Sequence, residues 1–495
     1  MKRTAQQYLY RICLIASLSF ALLLPDTING QMHDNNWIFG YTPQSGNANG
    51  TLMHFENGYP EFNQQNIQQD YKLYCIICSD STGNLLFHTD GRQIRNRLHQ
   101  VMEGGEMINP GQMWVQFPDG YPSATSGICI PAPGLPNHYY LIHTTLKDGD
   151  DLSVLCPELL YSLIDMNANS GLGKVVLANQ VLTTGDLPNP RVVKHANGRD
   201  WWLLVGDIIS KKYLVYLIGP NGIQLSHVQE IASPSVNSGN PTFSGNGCYY
   251  VNNYSPQGLW IFDFDRCSGT LSMPRFLPYQ QPVFWTSTCV FSSDERFLYV
   301  SNYLVSYQLD MNTIDSETIV LDTIARSDRG FSPDPPYYTH FQFPELGPDG
   351  RIYYSTSSLN NSNAFHVINR PNLPLFAADF EQRGLILPVL KDDTRTYFPN
   401  YRLGRLLGSA CDTLPFAGAV EERFDHRWIE EKPTNPYPDT VKVLKLPAHF
   451  HLPERKSEAP PVEFFDPLDL RDVTRQAIER SRKTQSEKKS EKENK

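Results

Sequence analysis

The residues that carry chemistry do not form a recognisable catalytic motif in this sequence. It contains no nucleophile elbow, no H-E-x-x-H helix and no phosphate-binding loop. His449 and His451 lie two residues apart without a third ligand nearby, so they do not predict a metal site. A composite active site would need polar residues that occur once and converge in space. The candidates are Asp90, Arg191, His195 and His340. Because no pattern selects among them, the sequence assigns no catalytic residue and predicts no cofactor.

The elements that would position such residues repeat along the chain. A polar turn leads into a short strand of aromatic and β-branched residues in "FSSDERFLYVSN" at 291–302. The same pattern recurs in "PGLPNHYYLIH", "HANGRDWWLLVG", "FSGNGCYYVNN" and "LGPDGRIYYSTS". A second strand then runs into another turn, and the matching turn positions are Asp165, Gly219, Asp263, Asp310 and Asn369. They lie 44 to 59 residues apart. We interpret these recurring positions as structural and not catalytic.

Repeats of this period, with about four short strands each, are typical of a β-propeller. A single blade cannot bury both of its faces, whereas blades stacked around an axis bury them against each other. Five units lie between 124 and 390, a sixth lies at 79–97, and a partial unit lies at 35–56. We expect the partial unit to pair with strands near the end of the domain and close the ring. The sequence therefore predicts an all-β propeller, with seven blades favoured over six. A β-sandwich is the alternative architecture, but it does not require such a repeat.

The two ends of the chain differ from the repeats. Residues 1–30 place basic residues before an apolar run that is too short to span a bilayer, which is typical of a signal peptide; an uncleaved anchor is the alternative. The propeller is expected over 35–412. A Pro-rich linker or strap at 413–465, a short amphipathic helix at 466–482 and a charged, disordered tail at 483–495 follow. These features predict an exported protein that is periplasmic, associated with the outer membrane or secreted, with no transmembrane segment after signal removal.

The cysteines are few for a chain of this length, with nine in 495 residues. Cys75 and Cys78 form a C-x-x-C inside a strand-like segment, where positions three apart face opposite sides. We therefore predict buried thiols there and not a metal or redox site. An exported chain can form disulfides. The preferred disulfide candidates, which fall in neighbouring repeat units, are Cys248, Cys267 and Cys289.

Several phrases carry a family resemblance. "DSTGNLLFHTDG" is the most specific, and "IPAPGLPNHYYLIHTT", "FDFDRCSGTLS" and "HVINRPN" accompany it. Over 36–412 the chain resembles exported propeller proteins of the Bacteroidetes with WD40-like or lactonase-like blades. Such proteins often carry PKD-type modules and a sorting domain for type IX secretion. The sequence after Cys411 matches neither, which leaves the export route open. The resemblance implies no established activity and suggests binding, adhesion or assembly.

Composition limits the partners, because a net charge of −10 argues against nucleic acid. Two functional hypotheses follow. The first is a non-enzymatic scaffold in the envelope or at the cell surface whose blade loops bind a protein, with possible docking through 466–482. The second is a propeller hydrolase or lyase that acts on a glycan or lactone-like substrate. A metal ion or a charged cluster in the central channel would distinguish the second hypothesis from the first.

Overall fold

The computed structural model describes most of the predicted propeller. The described residues are 31–41, 49–56, 59–67, 71, 75–118, 120–122, 127–149, 154–231, 240–254, 258–278, 287–316, 319–333, 339–357, 362–391 and 397–414. The predicted signal peptide, the strap from 415 onward, the predicted helix at 466–482, the tail, and the two histidines at 449 and 451 lie outside these residues.

Almost all regular structure in the described part is β-strand, arranged as seven blades. Blade 1 consists of β1 (Asn36–Tyr41), β2 (Asn49–Glu56) and β3 (Tyr59–Gln65), and blade 2 of β4 (Ile76–Ser79), β5 (Leu85–Thr89) and β6 (Ile94–Asn96). Blade 3 consists of β7 (Ile128–Pro131), β8 (His138–Thr144), β11 (Glu158–Asp165) and β12 (Lys174–Thr184), with a hairpin of β9 (Lys147–Asp148) and β10 (Val154–Leu155) inserted. Blade 4 consists of β13 (Arg191–Lys194), β14 (Trp201–Asp207), β15 (Lys212–Gly219) and β16 (Gly222–Gln229).

The last three blades follow the same plan. Blade 5 consists of β17 (Thr242–Phe243), β18 (Tyr249–Tyr254), β19 (Gly258–Asp265) and β20 (Thr270–Leu277). Blade 6 consists of β21 (Ser287–Phe291), β22 (Phe297–Asn302), β23 (Val305–Asp310) and β24 (Asp322–Arg326). Blade 7 consists of β25 (His340–Leu346), β26 (Ile352–Ser357), β27 (Ser362–Ile368) and β28 (Phe380–Lys391). The described helices are the short α1 (Gln112–Gln116) and three 3₁₀ turns at Asn169–Gly171, Met311–Thr313 and Leu375–Ala378.

Each blade is an antiparallel meander whose first strand lies nearest the axis. In blades 4 to 7 the strands are hydrogen-bonded in sequence order, and blade 3 keeps the same order around its inserted hairpin. The predicted all-β propeller is therefore confirmed, with seven blades and not six.

The turn between the first two strands shows why the same phrase recurs. In blade 6, Asp294 accepts hydrogen bonds from the Ser292 hydroxyl at 2.7 Å and the Arg296 amide at 3.2 Å, and Glu295 has a left-handed φ of 64°. In blade 4, Asn197 accepts from the amides of Arg199 and Asp200, each at 3.0 Å. An Asp or Asn side chain thus caps each of these turns, which is the local chemistry that the sequence pattern reflects.

The apolar core is divided among the interfaces between blades. The described part contains seven buried clusters, and each lies between two neighbouring blades. The cluster between blades 5 and 6, for example, combines Val251 and Ile261 with Leu298 and Val300. Burial on both faces explains why the second strand of a blade is apolar at successive positions, as in β14 and β22, where every residue is buried.

The ring closes differently from the expectation for the partial unit at 35–56. This segment does not pair with the last strands, because β1 hydrogen-bonds to β2 and forms a separate blade with β3. Blade 1 instead packs on blade 7 through aromatic side chains. The ring of Trp37 lies 5.7 Å from Tyr353, and Phe39 lies 5.1 Å from Phe365, both edge to face. Residues 36–65 form their own three-stranded sheet, so the ring closes by burial of the faces of blades 1 and 7 against each other and not by strand pairing.

Candidate functional site

Residues 397–414, called the crossing segment below, run across one end of the ring, at the turns that follow the innermost strands. The Asn400 side chain donates to the carbonyl of Gly245 in blade 5 at 2.7 Å. The Tyr401 hydroxyl donates to the carbonyl of Cys129 in blade 3 at 2.6 Å. One short stretch therefore contacts blades that lie far apart in the sequence.

An ion pair and a disulfide hold the same segment at two further points. Arg402 donates from both terminal nitrogens to the carboxylate of Asp34, which precedes blade 1, at 2.6 and 2.7 Å. Farther along, Cys411 forms a disulfide with Cys267 in the last turn of blade 5. A Cβ at Gly198 would lie 2.7 Å from the Arg405 nitrogen, so the turn of blade 4 admits the segment only because this position has no side chain.

The segment forms one wall of a cavity of about 200 Å³ close to the axis. The other walls come from the inner strands of blades 4 to 7 and the turns that follow them. Aromatic side chains at the cavity are Phe243, Phe291, Phe343, Tyr397 and Phe398. Charged side chains at the cavity are Asp34, Arg191, Glu295, Glu345, Asp349 and Arg402. Charged groups from five separate parts of the chain thus meet in one partly enclosed space.

Arg191 is the cation buried most deeply in this wall. Its side chain is fully buried and donates to the carbonyls of Pro241 at 2.6 Å and Pro190 at 2.8 Å, and to the Asn240 side chain at 2.6 Å. The guanidinium lies 4.1 Å from the centre of the Tyr397 ring. Burial lowers the pKa of Arg191, whereas Tyr397, Tyr250 and Glu345 act in the opposite direction. The guanidinium remains charged because its ordinary pKa is far above neutral pH.

Two carboxylates at the cavity have different surroundings. An oxygen of Glu345 on β25 accepts from the Phe398 amide at 3.3 Å, which joins blade 7 to the crossing segment. Asp349 lies in the next turn, where it accepts from the Tyr353 hydroxyl at 2.6 Å and the Arg351 amide at 3.2 Å. Burial raises the pKa of Asp349 despite these hydrogen bonds. Asp349 caps a turn, whereas Glu345 lies on β25 and acts electrostatically on Arg191, so Glu345 is the better candidate for contact with a ligand.

The structure brings only one of the four sequence candidates to the cavity. Arg191 lines it, whereas Asp90 caps a turn of blade 2 by accepting from the amides of Arg92 at 2.8 Å and Gln93 at 3.1 Å. The ring of His195 packs against Trp202 with 5.2 Å between centroids. His340 stacks on Tyr303 at 4.0 Å, and burial lowers its pKa to about 4. These three residues do not form a site with Arg191.

Several cavity residues were not predicted from the sequence. Glu345 directly precedes the "LGPDGR" turn of a repeat unit, and residues in the repeats were interpreted as structural, so it was not selected from the sequence. Tyr397 and Arg402 belong to "YFPNYRLG", which follows the last blade and matches no repeat. These residues could have been selected because they lie outside every repeat unit. A segment that does not form a blade is expected to have another function.

The predicted disulfide candidates require a correction. Cys267 bonds to Cys411 and to neither Cys248 nor Cys289. Cys248 is exposed in a turn, and Cys289 is buried in the inner strand of blade 6. Cys248 and Cys267 lie in different turns of blade 5 and Cys289 lies in blade 6, whereas the crossing segment brings Cys411 directly to Cys267. Cys75 and Cys78 are both buried.

The recurring turn positions are structural in the described blades, with one shift in register. Asp165 and Asp310 each accept from the amide two residues later, at 2.8 and 3.0 Å. In blade 5 the residue with this role is Asp265, which accepts from the Cys267 amide at 2.9 Å. Asp263 lies two residues earlier on β19 and pairs with Arg275 at 2.8 Å. The two remaining positions, at the ends of β15 and β27, are Gly219 and Asn369.

The described residues hold no group of three or more His, Cys, Asp or Glu side chains that is placed to bind a metal ion. Within the same residues, none of the helices is both long enough and apolar enough to cross a membrane.

Comparison with known proteins finds similarity to solved structures alone, at low sequence identity. No protein-family model and no curated protein matches the sequence. Among solved structures, the chain is similar to the periplasmic gluconolactonase of Pseudomonas aeruginosa, with 14% identity, a TM-score of 0.43, and coverage of 72% of this chain and 98% of that one. A putative 6-phosphogluconolactonase from Bacteroides uniformis gives 13% identity, a TM-score of 0.44, and coverage of 72% and 98%. The Dos1 propeller gives 10% identity, a TM-score of 0.31, and coverage of 73% and 76%. The seven-bladed propeller fold follows from the sheet topology of this chain itself, and the similarity to these structures carries no conclusion about activity.

Proposed function

We propose that the protein is a propeller hydrolase or lyase that binds a small glycan or lactone-like molecule in the axial cavity. The observation that supports this proposal is the cluster of charged residues at the axis. Structural positions of a propeller recur from blade to blade, whereas Arg191 and Glu345 occupy places that hold no such charge in the other repeats. Burial of charge costs free energy that blade packing does not require, so a cluster of this kind is more typical of a ligand site.

The surroundings suit a compact, oxygen-rich ligand. Aromatic rings such as Tyr397 and Phe343 provide flat apolar faces for a sugar ring. The guanidinium of Arg191 is buried behind the wall, from where its positive charge favours negative charge that develops on a bound ligand. Glu345 is the candidate general base that takes a proton from an attacking water molecule. Asp34 and Arg402 have a different role, because their mutual ion pair holds the wall of the cavity in place.

The test compares isosteric variants of the full chain on a panel of sugar lactones and oligosaccharides. Glu345→Gln keeps an acceptor for the Phe398 amide but removes the charge. We expect turnover to fall by about 100-fold or more, the effect typical of a lost general base. Arg191→Lys keeps the positive charge but loses the planar donor fork, and we expect weaker transition-state stabilisation.

The matched control is Glu61→Gln, on the exposed outer strand of blade 1, which should leave the rate unchanged. Circular dichroism and thermal unfolding would show that each variant is folded. The proposal fails if no substrate is turned over faster than in buffer, or if Glu345→Gln and Glu61→Gln have equal rates.

A scaffold function is the second candidate, and the crossing segment is the observation that favours it. The Cys267–Cys411 disulfide fixes the last described part of the crossing segment to blade 5. We propose that 466–482 docks on an envelope protein. The partner is first identified by pull-downs in both directions, with this protein as bait and then with the partner as bait. Leu470→Glu and Val473→Glu in the full chain should abolish its capture. Equal capture by Ser481→Glu and by the two variants would refute docking through the helix.

Export is part of both proposals. A disulfide persists in oxidising compartments, so Cys267–Cys411 supports a periplasmic or extracellular location. Fractionation of cells that express the full chain tests this point. Recovery of the protein in the cytoplasm with both cysteines reduced would contradict it.

A further inference from the structure

Two buried cysteines from neighbouring blades lie in direct contact. Cys78 is on β4, the innermost strand of blade 2, and Cys129 is on β7, the innermost strand of blade 3. Their sulfur atoms are 2.6 Å apart, and their side chains are 1% and 2% exposed. A disulfide bond measures about 2.05 Å, so the two sulfurs are closer to bonding distance than to ordinary packing distance.

We infer that Cys78 and Cys129 form a second disulfide, which joins blades 2 and 3 beside the axis. The pair lies in the apolar cluster between these blades, together with Ile76, Phe87 and Leu141. Polar groups in such surroundings are unfavourable, and a disulfide removes both thiol hydrogens from them.

The geometry also selects the partner. Cys75 is three residues from Cys78 and faces the opposite side of the strand, where its thiol donates to the Ile38 carbonyl of blade 1 at 3.5 Å. Cys78 faces blade 3 and Cys129. The C-x-x-C therefore serves two different interfaces, and only its second cysteine reaches a sulfur partner.

The reaction requires an oxidant that carries a disulfide, such as oxidised glutathione or a protein disulfide oxidoreductase. One thiolate attacks the oxidant to form a mixed disulfide and releases one thiol. The second thiolate attacks the mixed disulfide, so that one S–S bond forms in the protein and the oxidant leaves as two thiols. In the folded protein, burial raises the pKa of Cys78 well above its usual range and makes the thiolate scarce. The bond therefore forms during folding, before blades 2 and 3 pack.

The consequence is a second covalent link around the ring. The bond would close a loop of 51 residues between blades 2 and 3. The backbone carbonyl of Cys129 also accepts from Tyr401, so the same inner strand anchors the crossing segment. Two blades and the segment would then be held at one place near the axis.

The test is a peptide map of the full chain after refolding in glutathione buffers of increasing oxidised fraction. Free thiols are alkylated under denaturing conditions, and the digest is analysed without reduction. Recovery of the Cys267 and Cys411 peptides as a crosslinked pair shows that the buffer supports disulfide formation. Under the same conditions we expect a second crosslinked pair, which contains Cys78 and Cys129. Its mass should be two hydrogen atoms below the sum of the separate peptides, and reduction should separate it. Recovery of both cysteines in alkylated form at every buffer ratio would overturn the inference.

Two variants assign the bond. Cys75→Ser should retain the crosslink, and Cys129→Ala should abolish it and leave Cys78 alkylated. A crosslink between Cys75 and Cys129, or between Cys78 and Cys156, would contradict the proposed pairing. If Cys129→Ala does not fold, the map of the wild-type chain still decides the question.

Discussion

The Tyr401 hydroxyl donates a hydrogen bond of 2.6 Å to the backbone carbonyl of Cys129, a residue 272 positions earlier in the chain. The Tyr401 ring is buried and meets the ring of Trp201 edge to face at 6.0 Å. Burial raises the pKa of this hydroxyl well above its usual range, so it remains a neutral donor. This contact fixes the centre of the crossing segment to blade 3.

Loss of this hydroxyl should destabilise the fold. We expect Tyr401→Phe to lower the free energy of unfolding by about 1–3 kcal/mol, because a buried carbonyl loses a donor. The measurement is urea unfolding followed by tryptophan fluorescence. Tyr59→Phe is the control, since Tyr59 is 64% exposed and its change should be small. Equal effects of the two substitutions would contradict the role of the hydrogen bond.

The ion pair between Asp34 and Arg402 should contribute more than an exposed pair. The Asp34 side chain is 9% exposed and its two oxygens accept from both terminal nitrogens of Arg402. We expect a double-mutant cycle with Asp34→Asn and Arg402→Gln to give a coupling energy of about 1–3 kcal/mol. The same cycle on Lys212 and Glu230, an exposed pair, should show no measurable coupling. Similar coupling in both cycles would refute this prediction.

The Cys267–Cys411 disulfide should stabilise the crossing segment against unfolding. It spans 144 residues, and closure of so long a loop constrains the unfolded chain strongly. We expect the double variant Cys267→Ser, Cys411→Ser to lose about 2–5 kcal/mol of stability in urea without reductant. The difference from wild type should disappear in dithiothreitol. Cys248→Ser is the control, and a difference that persists in reductant would show another cause.

Buried histidines should make the protein sensitive to mild acid. Burial lowers the pKa of His143 and of His366 to about 3, from an ordinary value of 6.5. Between these pH values the unfolded chain binds protons that the folded protein does not. Stability is therefore complete above pH 6.5 and decreases as the pH falls, by about 1.4 kcal/mol per pH unit for each such histidine.

The variant His143→Gln isolates one of these contributions. In the wild-type protein the two ring nitrogens of His143 contact the side chains of Asn109 at 2.6 Å and Ser162 at 3.0 Å, and glutamine can replace part of this hydrogen bonding. Urea unfolding between pH 7.5 and pH 4 should show a shallower pH dependence for the variant below pH 6.5, and parallel curves above pH 7. If the two curves stay parallel over the whole range, protonation of His143 does not contribute to the pH dependence of stability, and the prediction is wrong.

Local chemistry explains what could be predicted. Every blade needs a capped turn followed by a strand of largely apolar residues, so this pattern recurs in every repeat. One local assignment was wrong because "DFDRC" contains two acids two residues apart. Asp265 ends β19 and accepts from the Cys267 amide, so the turn role belongs to the second of these acids.

By itself, the sequence determined that the protein is built from blades and how each blade turns, because those features depend on neighbours within about ten residues. The tertiary structure alone decided that blade 1 closes the ring by packing, that Cys411 reaches Cys267, and that Arg191 and Glu345 share a cavity. These contacts join residues more than a hundred positions apart. The curvature of the assembled ring and the path of the crossing segment decide which of these residues meet. Neither the curvature nor the path can be read from the residue spacing within a single repeat.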